Sequence, residues 1–155
     1  MIEFTNNRKG IIDLWQEAFE DSLTDIDFFL DNCSNKKCLT YIKDNKIVSM
    51  IFVIDAILNG SKTKYLYAAA SLKAFRGKGY MSDLLNKAQK DYASLCLIPA
   101  TEALANFYKK RGFSTAFSID KLDFNQADEI KNFLLEGYSI NPPFVLEYKK
   151  VKFYA

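Results

Sequence analysis

Two short segments of this chain bring chemistry-bearing residues together. The first is Tyr67–Leu85, YAAASLKAFRGKGYMSDLL, where Arg76, Gly77, Lys78 and Gly79 separate strand-forming residues from an amphipathic run. Glycines there let backbone N–H groups approach a ligand closely, and the N-terminus of a following helix favours anions. Arg76 and Lys78 add positive charge beside those amides, so a diphosphate is the natural guest. By itself such a loop is also an ordinary strand-to-helix turn with solvated cations. The second segment lies one strand downstream: Leu104–Phe113, LANFYKKRGF, with Tyr108 four residues before Gly112.

What the chain lacks narrows its chemistry. Its 155 residues contain no histidine, which excludes Ser-His-Asp and Cys-His catalysis, histidine bases and histidine-ligated metals. Twenty-one Lys and Arg against 19 Asp and Glu leave a net charge of +2, too small for duplex DNA binding by bulk charge. Three cysteines cannot all pair internally, which points to a reducing cytoplasm. Cys33 and Cys38 have no histidine to complete a soft ligand set, so no metal site is expected. The start, MIEFTNNRKG, has no signal-peptide core, and no apolar run approaches the ~20 residues of a membrane span. Hydrophobic residues at 49% and charged residues at 26% describe a folded domain, and no linker or repeat divides 1–155 into more than one.

The elements that must position these segments follow from periodicity. Residues 2–5 suit a short edge strand, and Ile11, Ile12, Trp15, Ala18 and Phe19 mark a helix from Arg8 to Glu20. Thr24 and Asp27 resemble a capping box opening a second helix with Ile26, Phe29 and Leu30. Three strands follow: Leu39–Ile42, Ile47–Leu58 and Lys64–Leu72, turning at Asp44-Asn45 and at Asn59-Gly60, a type I′ signal. Met81, Leu84, Leu85, Ala88 and Tyr92 form an amphipathic stripe. Ala93–Ile98 is apolar without alternation, as for a strand buried on both faces. Thr101 caps a helix running through Arg111, and Gly112 ends it. Phe113–Phe124 reads as a strand, 126–136 as a helix and Phe144–Tyr154 as a last strand. The fold class is α/β (α+β): a mixed sheet with helices on its faces.

With those elements in place, the two segments resemble the signatures of the GNAT superfamily, the Gcn5-related N-acetyltransferases. That family's pyrophosphate loop reads Arg or Gln, two residues, Gly, one residue, then Gly or Ala, between a strand and a helix. Here it is Arg76-Gly77-Lys78-Gly79-Tyr80-Met81. A later family helix ends in a Tyr-x-x-x-Gly-Phe-like sequence, here Tyr108-Lys109-Lys110-Arg111-Gly112-Phe113. The resemblance spans residues 39–124, and the N-terminal helices by order. Met81 replaces the usual Gly or Ala in the manner of the Eis-like branch. Thr101 stands seven residues before Tyr108, where many members carry an Asn that contacts the cofactor.

The resemblance implies a mostly antiparallel GNAT sheet splayed between its fourth and fifth strands, and acetyl-CoA as cosubstrate. Pyrophosphate would sit on Arg76, Gly77, Lys78, Gly79, Tyr80 and Met81, with pantetheine beside Ser71, Leu72 and Lys73 and in reach of Thr101 or Asn106. Tyr108 matches the usual general acid, its ordinary pKa of ~10 suiting a thiolate leaving group. A backbone N–H near Leu72 would face the oxyanion. No single residue stands out as the general base: Glu102, Asp55, Tyr65 and Tyr67 are candidates, and an ordered water chain is an alternative. The implied reaction acetylates a primary amine, on a small molecule or a peptide, by direct attack in a ternary complex. A GNAT-like module that binds CoA, or nothing, without turnover is the rival reading. Trp15, Phe28 and Phe29 are candidates for an acceptor pocket, and Lys149, Lys150 and Lys152 for a solvated basic face. If the chain is the front part of a larger two-domain relative, the apolar run Phe144–Leu146 after Pro142-Pro143 would mark the interface, and in either case an unpaired last strand would suit a homodimer.

Overall fold

A computed structural model describes residues 1–151. Among these residues, eight strands, numbered in chain order, form one sheet in the order β1-β2-β3-β4-β5-β8-β6, with β7 pairing β3, and five α-helices accompany them. The chain falls into two compact units: Met1–Ile54 with Leu66–Lys87, and Asp55–Tyr65 with the chain from Ala88 onward.

The first unit holds β1 (Ile2–Thr5), α1 (Arg8–Ala18), α2 (Leu23–Asn32) and β2 (Lys36–Lys43), with most of β3 (Lys46–Leu58), the end of β4 (Ser61–Ser71) and the start of α3 (Tyr80–Asp91). β1, β2 and β3 pair antiparallel, as the meander pattern requires. The β2–β3 turn is tight because Asp44 and Asn45 both accept positive φ, at 52° and 60°. Asn7 caps α1, its side chain accepting from Gly10 N–H. Gly10 is glycine for space: a Cβ there would lie 2.8 Å from Ile47 Cδ1. α2 departs from expectation, since Ser22, accepting from Asp25 N–H, is its N-cap. Thr24 lies inside the helix because the earlier serine already satisfies an N-terminal donor. Trp15, Phe29 and Phe52 are buried, with Trp15–Phe29 ring centroids 5.3 Å apart and Phe29–Phe52 5.0 Å. Trp15 and Phe29 are thus core, each burial contributing about 1.5–3 kcal/mol, rather than the lining of an acceptor pocket.

The second unit contains the end of β3, the start of β4, β5 (Ser94–Leu97), α4 (Glu102–Lys109), β6 (Phe113–Ser118), β7 (Leu122–Asp123), α5 (Asp128–Leu134) and β8 (Phe144–Lys149). β4 and β5 pair in parallel at Lys64↔Leu95 and Tyr65↔Cys96, after which β4 runs on to Ser71. The predicted strand 113–124 is interrupted by a 3₁₀ turn at Ile119–Lys121, beyond which β7 pairs the end of β3. α4 stops at Lys109, two residues short of expectation, and α5 is shorter than 126–136, with no side-chain cap at Ala127. The largest correction concerns β8. It pairs antiparallel with both β5 and β6, so it is interior, and Val145 and Leu146 are buried. Phe144–Leu146 is therefore no exposed run, and the last strand has no unpaired edge to recruit a second copy. Of the expected basic face, Lys149 is exposed and Lys150 Nζ donates to Lys90 O at 2.8 Å, while Lys152 lies outside the described residues.

Candidate active site

The basic loop in the first unit begins where β4 ends. Ser71 Oγ shares a 2.6 Å hydrogen bond with Ser49 Oγ, fixing the strand end to β3. Leu72 N–H donates to Val48 O at 2.9 Å and Lys73 N–H to Glu17 Oε2 at 2.9 Å. Both amides near Leu72 thus already have acceptors, which leaves the expected oxyanion donor unassigned to either. A 3₁₀ turn over Lys73–Phe75 carries the chain outward. Arg76 then folds back, its Nε donating to Ser71 O at 3.2 Å.

Gly77 and Gly79 hold φ at +75° and +83°, and a Cβ at either would meet nothing within 4 Å. Their freedom serves the backbone turn, and the space beside them is open. α3 starts at Tyr80, and Asp83 N–H makes its first helical bond, to Gly79 O at 3.0 Å. The amides of Tyr80 and Met81 therefore precede the helical ladder, where N–H groups favour an anion. Lys73, Arg76 and Lys78 are all exposed around them. This donor set fits a diphosphate. Tyr80 is anchored from β2: its ring lies 4.4 Å from that of Tyr41, and its hydroxyl accepts from Lys43 Nζ at 2.9 Å. That bond raises the Lys43 pKa from its ordinary value. Met81 is half-buried at the start of the same helix.

The second segment lies in the second unit. Thr101 caps α4, accepting from Leu104 N–H at 3.2 Å, and Glu102 occupies the helix's first turn. Both thus do the work of a helix start. Asn106 is exposed on α4. Tyr108 is buried, its ring 5.2 Å from Phe107 and 5.6 Å from Phe113. Burial pushes its phenol up to about 12, with Arg111 acting the opposite way, so at neutral pH it holds a proton to give. Arg111 is itself folded onto α4, its guanidinium 3.5 Å from the Phe107 ring centroid and its Nη1 donating to Phe107 O. Gly112, at φ +93°, sits so close to Tyr148 that a Cβ would lie 3.2 Å from Tyr148 Cδ2.

The base candidates divide. Asp55 is paired with Lys64 at 2.5 Å on the exposed face. Tyr65 is fully buried, donating to Leu134 O at 3.1 Å, and Tyr67 packs against Trp15 and Phe29. Two carboxylates escaped the sequence reading. Glu17 holds the Lys73 amide, a contact 56 positions apart that no local pattern signals. Glu147 is buried at 6% exposure in β8, and a charged residue inside the run Phe144–Tyr148, FVLEY, was the available signal.

A family model described as acetyltransferase (GNAT) domain matches residues 5–116. No curated protein matches the sequence. Among solved structures, a GNAT-family acetyltransferase from Elizabethkingia anophelis with acetyl-CoA bound is 18% identical over 96% of this chain and 97% of that one, with a TM-score of 0.61. One from Staphylococcus aureus is 15% identical over 96% and 98%, at 0.62. A conserved Enterococcus faecalis protein described as a probable N-acyltransferase is 18% identical over 76% of this chain at 0.62, and this chain spans only 32% of its length. At such identities the likeness is one of fold.

Proposed function

The chain belongs to the GNAT acetyltransferase family, and from that membership we propose that it transfers the acetyl group of acetyl-CoA to a primary amine by direct attack in a ternary complex. The observation that carries this reading is the open, cation-flanked run of amides from Arg76 to Met81 at the start of α3. The acetyl-CoA bound to the Elizabethkingia relative supports it.

The thioester supplies an activated acetyl group. Gly77, Gly79, Tyr80 and Met81 hold pyrophosphate through backbone N–H groups, and Arg76 and Lys78 neutralise it. The end of β4, Ser71–Lys73, flanks pantetheine, with Thr101 or Asn106 as a further contact. Tyr108 gives its proton to the departing sulfur, a donor kept neutral by burial. The acceptor is a small-molecule or peptide amine met in the cytoplasm. Among the described residues no helix is long and apolar enough to cross a membrane. Met81 favours the Eis-like branch of the family.

The test is a panel of primary amines with acetyl-CoA, read as free thiol released, for wild type and Tyr108→Phe. Turnover that falls about 100-fold in the variant supports the reading. Tight acetyl-CoA binding without turnover on any amine would favour the non-catalytic module.

A further inference from the structure

Resting on that reading, we infer that Lys43, at the tip of the β2–β3 hairpin, is a positioning residue for acetyl-CoA, acting through the Tyr80 hydroxyl on the phosphate loop. A 3₁₀ turn and the Arg76 Nε bond to Ser71 O order this loop up to Arg76. Beyond it, Gly77 and Gly79 stand at positive φ with open space beside each, so this half has many conformations to lose when its amides close on an anion. Lys78 Nζ, 5.5 Å from the Phe75 ring centroid, is an exposed contact of little weight. Amides that must converge on one ligand hold it tightly only where something else has already ordered them.

The hairpin fastens the loop at both ends. β2 and β3 slip register between Tyr41 and Ile42: Tyr41 pairs with Ser49 and Ile42 with Ile47, which leaves Val48 as the extra residue of a bulge. Val48 O accepts the Leu72 N–H at 2.9 Å, and Ser49 Oγ shares its 2.6 Å bond with Ser71 Oγ, so the bulge holds the loop where it begins. On β2, Tyr41 and Lys43 are two residues apart and share one face of the sheet. That face meets the loop where it ends. The Tyr41 and Tyr80 ring centroids are 4.4 Å apart, and Lys43 Nζ donates to the Tyr80 hydroxyl at 2.9 Å. Phe75, inside the loop, lies 6.3 Å from the same Tyr80 ring. Asp44 and Asn45, at φ 52° and 60°, make a tight turn directly after Lys43 and fix its backbone. All these residues belong to the first compact unit.

Stability alone does not ask for the Lys43–Tyr80 bond. Lys43 is exposed and Tyr80 half-buried, so water would serve both polar groups, and fixing a lysine side chain costs conformational entropy. What the bond does is set Tyr80, the first residue of α3, and with it the Tyr80 and Met81 amides that face the anion. Lys46, in register with Lys43 across the turn, carries the same charge at the same tip without that bond.

The experiment is calorimetric titration of acetyl-CoA into wild type, Lys43→Met, Tyr80→Phe, the double variant and Lys46→Met, with amide exchange followed in the unliganded proteins. Lys43→Met and Tyr80→Phe should each weaken acetyl-CoA about fivefold, and the double variant no more than either, because all three lack the same bond. Lys46→Met should bind within about twofold of wild type. Exchange of the Asp83 amide, which makes the first helical bond of α3, should quicken in the variants that lack the bond and not in Lys46→Met. Losses that multiply to about 25-fold in the double variant, or an equal loss in Lys46→Met, mean that Lys43 acts by its charge and overturn the inference. Single variants with unchanged affinity or unchanged exchange overturn it as well, and each of these results leaves the acetyltransferase reading intact. Failure of wild type to bind acetyl-CoA overturns both.

Discussion

Tyr108 is proposed as a proton donor, and its burial keeps the proton on the phenol at neutral pH. An aromatic cage raises its pKa to about 12, so across the physiological range it is fully protonated and a catalytic loss from its ionisation belongs above pH 10. The same shift bears on stability. Because the folded state holds this proton more tightly than the unfolded chain, the contribution is complete below about pH 10 and is lost as pH climbs toward 12. Denaturant titrations of wild type and Tyr108→Phe should therefore converge or cross in that window; curves that stay parallel from pH 8 to 12 would contradict the buried phenol. The position of Tyr108 on its helix was legible because it stands at a fixed place in a motif. The burial of Glu147 was not legible, because it depends on the pairing of β8 with strands far away in sequence.

At the scale of elements, the strands of the meander and the order of helices could be read from alternation and turn chemistry, since Asp44-Asn45 and Asn59-Gly60 specify their turns locally. Where a second cap competed, as at Ser22 over Thr24, local pattern alone chose wrongly. Ser22→Ala should cost about 1 kcal/mol in a chemical melt and Thr24→Ala much less; equal effects would argue against the observed cap. The loop between β4 and α3 owes its form to positive φ at Gly77 and Gly79. Since a Cβ at Gly79 meets nothing, Gly79→Asp should leave the fold intact while adding backbone strain and a negative charge to the anion site. A thermal melt of that variant within a few degrees of wild type is the expected result, and a collapse of the fold would speak against an open loop.

Over the whole molecule, the insertion of β8 between β5 and β6 is the feature least visible in the sequence. Chain order suggests that the final strand lies at an edge, and only long-range pairing moves it inside. That placement buries Val145 and Leu146 and fixes Glu147 on the rung that holds the last parallel pair of β4 and β5. The family was readable because the loop and the tyrosine helix are short motifs in a set order; the acceptor was not, because one fold serves unrelated substrates. The central claim is that the Arg76–Met81 loop holds acetyl-CoA, and calorimetric titration of acetyl-CoA into wild type and Gly79→Asp tests it most directly. Micromolar binding to wild type that vanishes in the folded variant is the predicted result. No binding to wild type, or equal binding to both, would contradict it.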